Sequence, residues 1–499
     1  MHFDVCVIGA GPSGIAAAMR AVDFGKRVLV VEKNKVGGAG VFNGALASKT
    51  LWELSENYKT VQSNKYGYYV FDSDLDYKTV IGEMHKAENE KHSQIMEQIQ
   101  AFEREELIHF VTGWAKLKTA HQVEVTRPDG FVEVFDVDNV VMAVGSRPRK
   151  LSSLPIDEKI VVTSDGIGSF SDFPKSIVIL GAGVIGCEFA TIFSNFGKTK
   201  VFLIDKADRI LPFEDEDIAS MVSHNLEEQG VTVHKNSSLK KMEIIDGKVE
   251  YTLEYTDGRE EIHTVEKALI SIGRVSNVEN LGLEEVGMKL DDRGFAIDDD
   301  TQTSLPNIYA VGDFTADIAL VNIAEMEGRY AVERMYNRID APMSYDNIST
   351  IMFLNPEVAG VGKNETQCRK EGIPYKMALM DYRFVNRAIA KRRCQGFFKL
   401  LVTDDDEMRI LGMRTVGDQA SSTIESVALL IAMKKGVREL ANIIYPHPAI
   451  TEGLQECARM LLGKSIVKPQ VFNRHLKCYR FTKEGRVEDL FVNGIEVQH

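Results

Sequence analysis

Residues 3–32 read FDVCVIGAGPSGIAAAMRAVDFGKRVLVVE. The apolar run from Phe3 to Ile8 gives way to GAGPSG, then to an alanine-rich stretch ending near Gly25, then to a second apolar run that closes on Glu32. Continuous apolar runs of this length suit strands buried on both faces, so the segment reads as strand, tight turn, helix, strand. In the turn, Gly9 permits the sharp change of direction, Gly11 lets the backbone approach a pyrophosphate, and Gly14 lets the helix lie close to the strand. Unpaired amides at the start of the helix then face phosphate oxygens. Glu32, at the end of the second strand, is placed to accept hydrogen bonds from the hydroxyls of an adenosine ribose. A glycine loop in this setting predicts a dinucleotide site.

The same arrangement recurs at residues 177–205, IVILGAGVIGCEFATIFSNFGKTKVFLID. Gly181, Gly183 and Gly186 repeat the three glycines, and Asp205 stands where Glu32 stood. A carboxylate there tolerates a neutral ribose and repels a 2′-phosphate, which favours NAD(H) over NADP(H). Lys206 and Arg209 follow closely and offer positive charge to a 2′-phosphate.

The chain is therefore expected to be an α/β protein with two Rossmann-like dinucleotide-binding domains and a third, C-terminal α+β domain. Residues 1–150 form the first domain, with a helical insertion at about 50–108 typified by IGEMHKAENEKHSQIMEQIQAF. Residues 151–275 form the second. Residues 276–345, which include TSLPNIYAVGD, return to complete the first, and 346–467 form the third, with strands such as FFKLLV and helices such as SSTIESVALLIAMKKG. Residues 468–499 read as a polar tail whose runs LKCYRF and RVEDLFV suggest some strand.

With 499 residues the chain has room for about three to four domains at roughly 150 residues each. Lys and Arg total 59 against 73 Asp and Glu, and a net charge of -14 repels nucleic acid and anionic membranes. Cys6, Cys187, Cys368, Cys394, Cys457 and Cys478 are scattered without a CxxC pair, which indicates neither a disulfide framework nor a metal site. No signal peptide or membrane span is read, and a cytoplasmic location is expected.

Six motifs together resemble the flavoprotein disulfide reductase family, the group of dihydrolipoamide dehydrogenase, glutathione reductase and mercuric reductase. They are GAGPSG with Glu32, VVMAVGSRP at 140–148, GAGVIGCE with Asp205, ISIGR around Gly273, TSLPNIYAVGD ending in Asp313, and YPHPAITE at 445–452. The resemblance extends to about residue 465 and implies FAD at the first loop and a nicotinamide dinucleotide at the second. It implies that Asp313 holds the ribityl or pyrophosphate region, that Val321 places a backbone N–H near flavin O2, and that Ala115 contacts the adenine end. It also implies that Lys49 and Glu188 pair beside flavin N5, and that His447 with Glu452 forms a general acid–base pair entering from the second subunit of a homodimer. GAGVIGCEFATIF is similar, too, to the soluble pyridine nucleotide transhydrogenases, a branch that keeps one redox cysteine and loses the C-terminal histidine, the reverse of what stands here.

The departure lies in GGAGVFNGALASK, residues 37–49. Family members with a redox disulfide carry cysteines at the positions occupied by Gly40 and Ala45, and thiol–disulfide exchange needs a sulfur nucleophile. Three functions follow. Reduced flavin passes electrons directly to a small-molecule acceptor such as a nicotinamide, a quinone or a small sulfur compound, with room left where sulfur is missing. Alternatively, a substrate dithiol or Cys478 on the tail supplies the thiol. In the third, the chain is a non-catalytic, flavin-bearing sensor or scaffold subunit.

Overall fold

The computed structural model describes residues 1–42, 44–63, 67, 69, 70, 74–316, 318–339 and 341–490. Its first sheet is organised around the strand His2–Ile8, which runs parallel to Val28–Glu32 on one side and to Val132–Met142 on the other. Ile108–Thr112 extends the sheet beyond Val28–Glu32. Beyond Val132–Met142 lies Ile308–Ala310, which pairs parallel with it. Val5, Val7, Val28, Val30 and Val141 are completely buried, as the apolar runs require for strands covered on both faces. Helices Pro12–Asp23 and Val321–Met335 pack together on one of those faces. Two long helices, Ala45–Gln62 and Tyr77–Arg104, are inserted ahead of Ile108–Thr112.

A second parallel sheet has the strand order Thr232–His234, Lys200–Ile204, Ser176–Leu180, Lys267–Ile270, Val161–Thr163. The antiparallel strands Ser237–Ile245, Lys248–Tyr255 and Glu260–Val265 pack their apolar side chains against it. Where the chain passes between the two lobes, Ser146–Pro148 pairs with Arg274–Ser276 in a short antiparallel ribbon.

The third unit is an antiparallel sheet of seven strands. Five of them lie between residues 349 and 416, and the sheet then continues with Leu476–Phe481 and Val487–Asp489. The segment from 468, read from the sequence as a tail, is thus part of the third sheet: Leu476–Phe481 pairs with Tyr375–Asp381 along six residues. Alternation explains it, since Leu476 and Cys478 turn inward while Lys477 stays exposed. Residues 491–499, which include the end of RVEDLFV, lie outside the described residues.

Candidate active site

Each glycine loop divides its work in the same way. Gly9 has φ +99°, and a Cβ there would lie 2.4 Å from the carbonyl oxygen of Ala143. On Gly14 it would lie 1.9 Å from the oxygen of Gly9, so the helix can approach the strand only without a side chain. A Cβ on Gly11 would meet nothing within 4 Å. In the second loop Gly181 has φ +105°, a Cβ on Gly186 would lie 1.9 Å from the oxygen of Gly181, and Gly183 again faces open space.

The acidic residues are duplicated equally closely. Glu32 accepts from the N–H groups of Ala10 and Asn34, both at 2.7 Å. Asp205 accepts from Ala182 at 2.7 Å and Ala207 at 2.9 Å. Each carboxylate is fixed beside its loop while its oxygens retain lone pairs for further donors. Arg209 does not reach out as its sequence position allowed. Its guanidinium donates to the carbonyls of Pro212 and Glu214, each at 3.1 Å, and is tied into its own loop.

Gly9, Gly11 and Glu32 open onto a cavity of about 660 Å³, within the range of about 300–1,000 Å³ usual for ligand sites. Ala115 lies on its wall beside Trp114, whose ring is covered by the Lys33 ammonium at 4.4 Å. Val321 lines the cavity and begins a helix whose first N–H groups have no side-chain cap. Asp313 also lines it and accepts from Ser146 Oγ at 2.6 Å. Arg274 donates to that same hydroxyl at 2.7 Å and lies 3.7 Å from the Asp313 carboxylate. Ser146 and Arg274 stand within the quoted motifs, yet sequence reasoning gave them no role. The motif glycine, Gly273, adopts φ +100° and leaves the wall to Arg274. Asp165 was missed altogether. It faces the cavity.

At the other end of the cavity, Lys49 Nζ lies 2.7 Å from Glu188 Oε2. Glu188 is 4 % exposed, and its second oxygen accepts the Phe353 N–H from the third unit at 3.0 Å. The pair therefore joins helix Ala45–Gln62 of the first lobe to helix Val184–Phe196 of the second.

A sequence profile described as pyridine nucleotide-disulphide oxidoreductase matches residues 3–328, and the corresponding dimerisation-domain profile matches residues 348–458. The chain belongs to the pyridine nucleotide-disulphide oxidoreductase family. Dihydrolipoyl dehydrogenase from Geobacillus stearothermophilus is 32% identical over 465 residues, covering 93% of this chain and 97% of that one. The mitochondrial dihydrolipoyl dehydrogenase of Dictyostelium discoideum is 31% identical over 470 residues, with coverage of 93% and 95%. Among solved structures, LpdA from Mycobacterium tuberculosis superposes with a TM-score of 0.84 at 25% identity, over 92% of this chain and 99% of that one. The family uses FAD and NAD(H), and the first cavity fits such a cofactor in its volume, its open Gly11 cradle and its fixed carboxylate.

Several members of the expected set lie away from the family's flavin cavity. His447 Nδ1 is 2.8 Å from Glu452 Oε1, and Glu452 Oε2 accepts the Ala449 N–H at 2.8 Å, but the cavity wall includes neither residue. The His447 side chain is 62% exposed, and the nearby Ile444 is 97% exposed.

Two sequence expectations need correction. Gly40 and Ala45 line the cavity, but the space beside Gly40 is not vacant. A Cβ there would lie 2.4 Å from Cγ of Pro12. Nor is Cys478 a thiol offered by the tail, because it is 3 % exposed, sits opposite Ala378 in the third sheet, and has its thiol pushed well up by burial. Among the described residues no helix is long and apolar enough to cross a membrane.

Proposed function

We propose that this chain is an NADH-dependent flavin oxidoreductase that delivers electrons to its acceptor without an enzyme disulfide. The observation that carries the reading is a cavity wall that has the Lys49–Glu188 pair and Gly40 with Ala45, and includes none of the six cysteines. When bound, FAD would take a hydride from NADH and give two electrons to a nicotinamide, a quinone or a small sulfur compound.

Gly9, Gly11 and Gly14 would shape the FAD loop, Glu32 would orient the ribose, Ala115 would border the adenine end, Asp313 would hold the ribityl or pyrophosphate region, and Val321 would offer its backbone N–H to the flavin. Gly181, Gly183, Gly186 and Gly273 shape the nicotinamide dinucleotide site. The Asp205 carboxylate and the commitment of Arg209 to its own loop favour NADH over NADPH. The Lys49 ammonium, held by the buried Glu188, stabilises the negative charge that grows beside it during hydride transfer. His447, oriented by Glu452, protonates the acceptor across a homodimer interface, a reading supported by its exposure and by the apolar Ile443 and Ile444 beside it. The six free cysteines accord with a reducing, cytoplasmic location.

Anaerobic stopped-flow mixing with NADH is expected to bleach the flavin, and a panel of quinones, nicotinamides, disulfides and polysulfides then to restore it faster than oxygen does for at least one member. Absence of bleaching by both NADH and NADPH would refute the proposal. Bleaching with every acceptor no faster than oxygen would favour a flavin-bearing sensor instead.

A further inference from the structure

The Lys49–Glu188 pair is drawn from two lobes, but the third unit supplies its fixings. On helix Ala45–Gln62, Lys49, Trp52 and Glu56 fall at i, i+3 and i+7 and so share one face. That face meets helix Val184–Phe196 and, lodged across the seam, residues 353–355 of the third unit.

At Phe353 three contacts converge. Its N–H donates to Glu188 Oε1 at 3.0 Å, leaving Oε2 for Lys49. The face of its ring lies 4.9 Å from Lys49 Nζ, and its ring meets Trp52 at 5.2 Å with an interplanar angle of 75°. Trp52 donates its indole N–H to the Leu354 carbonyl at 3.2 Å, and the Asn355 amide donates to Glu56. The segment is thereby pinned at the two residues that follow Phe353.

A lysine ammonium rides on a flexible four-carbon stem, so one carboxylate fixes its distance without fixing its direction. An aromatic face supplies a second attraction along another line. We infer that Phe353 is a positioning residue for hydride transfer: its backbone orients Glu188 and its ring sets where the Lys49 ammonium stands at the cavity wall. The inference rests on the role proposed above for the Lys49–Glu188 pair. It gives the third unit a part in the chemistry of its own subunit, separate from any part in dimerisation.

The test compares the holoenzyme with its Phe353→Leu, Phe353→Tyr and Lys49→Met variants by anaerobic stopped flow, separating the limiting flavin reduction rate from the NADH dissociation constant. Phe353→Leu keeps the backbone N–H and removes the ring, and is expected to slow limiting reduction about tenfold with the dissociation constant within about twofold, the scale of a misplaced reacting group. Phe353→Tyr restores an aromatic face and is expected to recover most of the rate. Trp52→Phe, which loses only the indole bond to Leu354, guards against poor folding of the leucine variant and is expected to slow reduction two- to threefold, roughly the effect of a modest displacement. Wild-type reduction in either Phe353→Leu or Trp52→Phe overturns the inference, as does equal loss in the leucine and tyrosine variants. Wild-type reduction in Lys49→Met instead refutes the role of the pair itself.

Discussion

Cγ of Pro12 lies 2.4 Å from the point where a Cβ on Gly40 would sit. Pro12 opens the helix that follows the first glycine loop, so the wall at Gly40 and the FAD loop are packed directly on one another. A proline ring cannot swing aside as the end of a long side chain does. Gly40→Ala is therefore expected to overpack the contact and to destabilise the holoprotein by about 1–3 kcal/mol. Thermal unfolding of Gly40→Ala, Pro12→Ala and the double variant checks this: a coupling energy of about 1 kcal/mol or more is expected, and additivity would show that the ring is not the obstacle.

Gly11 and Gly183 occupy the same place in the two loops, and neither has a neighbour within 4 Å of its absent Cβ. Valine at either position should leave the fold intact and fill only the space reserved for a ligand. Gly11→Val is expected to purify with little FAD, whereas Gly183→Val should retain FAD and raise the NADH dissociation constant by about tenfold or more, a cost of about 1.4 kcal/mol. Flavin absorbance per polypeptide and NADH titration distinguish the two.

His447 and Glu452 are hydrogen-bonded to each other but stand away from the Lys49–Glu188 cavity of their own chain. If a second subunit brings the pair to the acceptor, His447→Gln should leave reduction by NADH unchanged and slow reoxidation by a proton-requiring acceptor about a hundredfold, at the lower end of general acid–base effects. Equal slowing of both half-reactions would place the histidine elsewhere in the cycle.

Lys399 is 1 % exposed and joins the second lobe to the third, with Asp215 at 3.0 Å and Glu365 at 2.8 Å. Burial alone would raise both carboxyls, but the Lys399 ammonium, together with hydrogen bonds from Thr366 to Asp215 and from Tyr375 and Tyr479 to Glu365, outweighs it and holds them below their ordinary values. Their contribution is thus fully present above the unfolded-state values of about 3.9 and 4.3 and is lost as pH falls through the lower folded-state values. Lys399→Met strands the carboxylates and is expected to cost about 3–5 kcal/mol at neutral pH. With the ammonium gone, the folded-state values of Asp215 and Glu365 rise, so the stability difference between wild type and variant should shrink as pH falls. Urea midpoints measured from pH 4 to 7 check the sign, since a constant difference between wild type and variant would remove the charge argument.

Each glycine loop was legible because its constraints are local. Gly9 and Gly181 need positive φ, Gly14 and Gly186 need close backbone approach, and the acidic residue must end the neighbouring strand. A spacing of a few residues carries all of that. Alternation likewise revealed strand character in LKCYRF, but it could not show that the strand completes the third sheet, because the partner Tyr375–Asp381 lies about a hundred residues away. The reading of Cys478 as a thiol supplied by the tail failed for that reason.

The sequence by itself determined the two βαβ units and the acid that ends each, and its resemblance to the family pointed to the Lys49–Glu188 and His447–Glu452 pairs and to Gly40 and Ala45. Only the tertiary structure decided that Pro12 takes the space beside Gly40, that Arg209 is spent on its own loop, that Ser146 and Arg274 brace Asp313, and that Phe353 backs the lysine. Periodicity and spacing encode backbone geometry over a few turns of chain. Contacts between side chains that are tens to hundreds of residues apart exist only once the three units have packed.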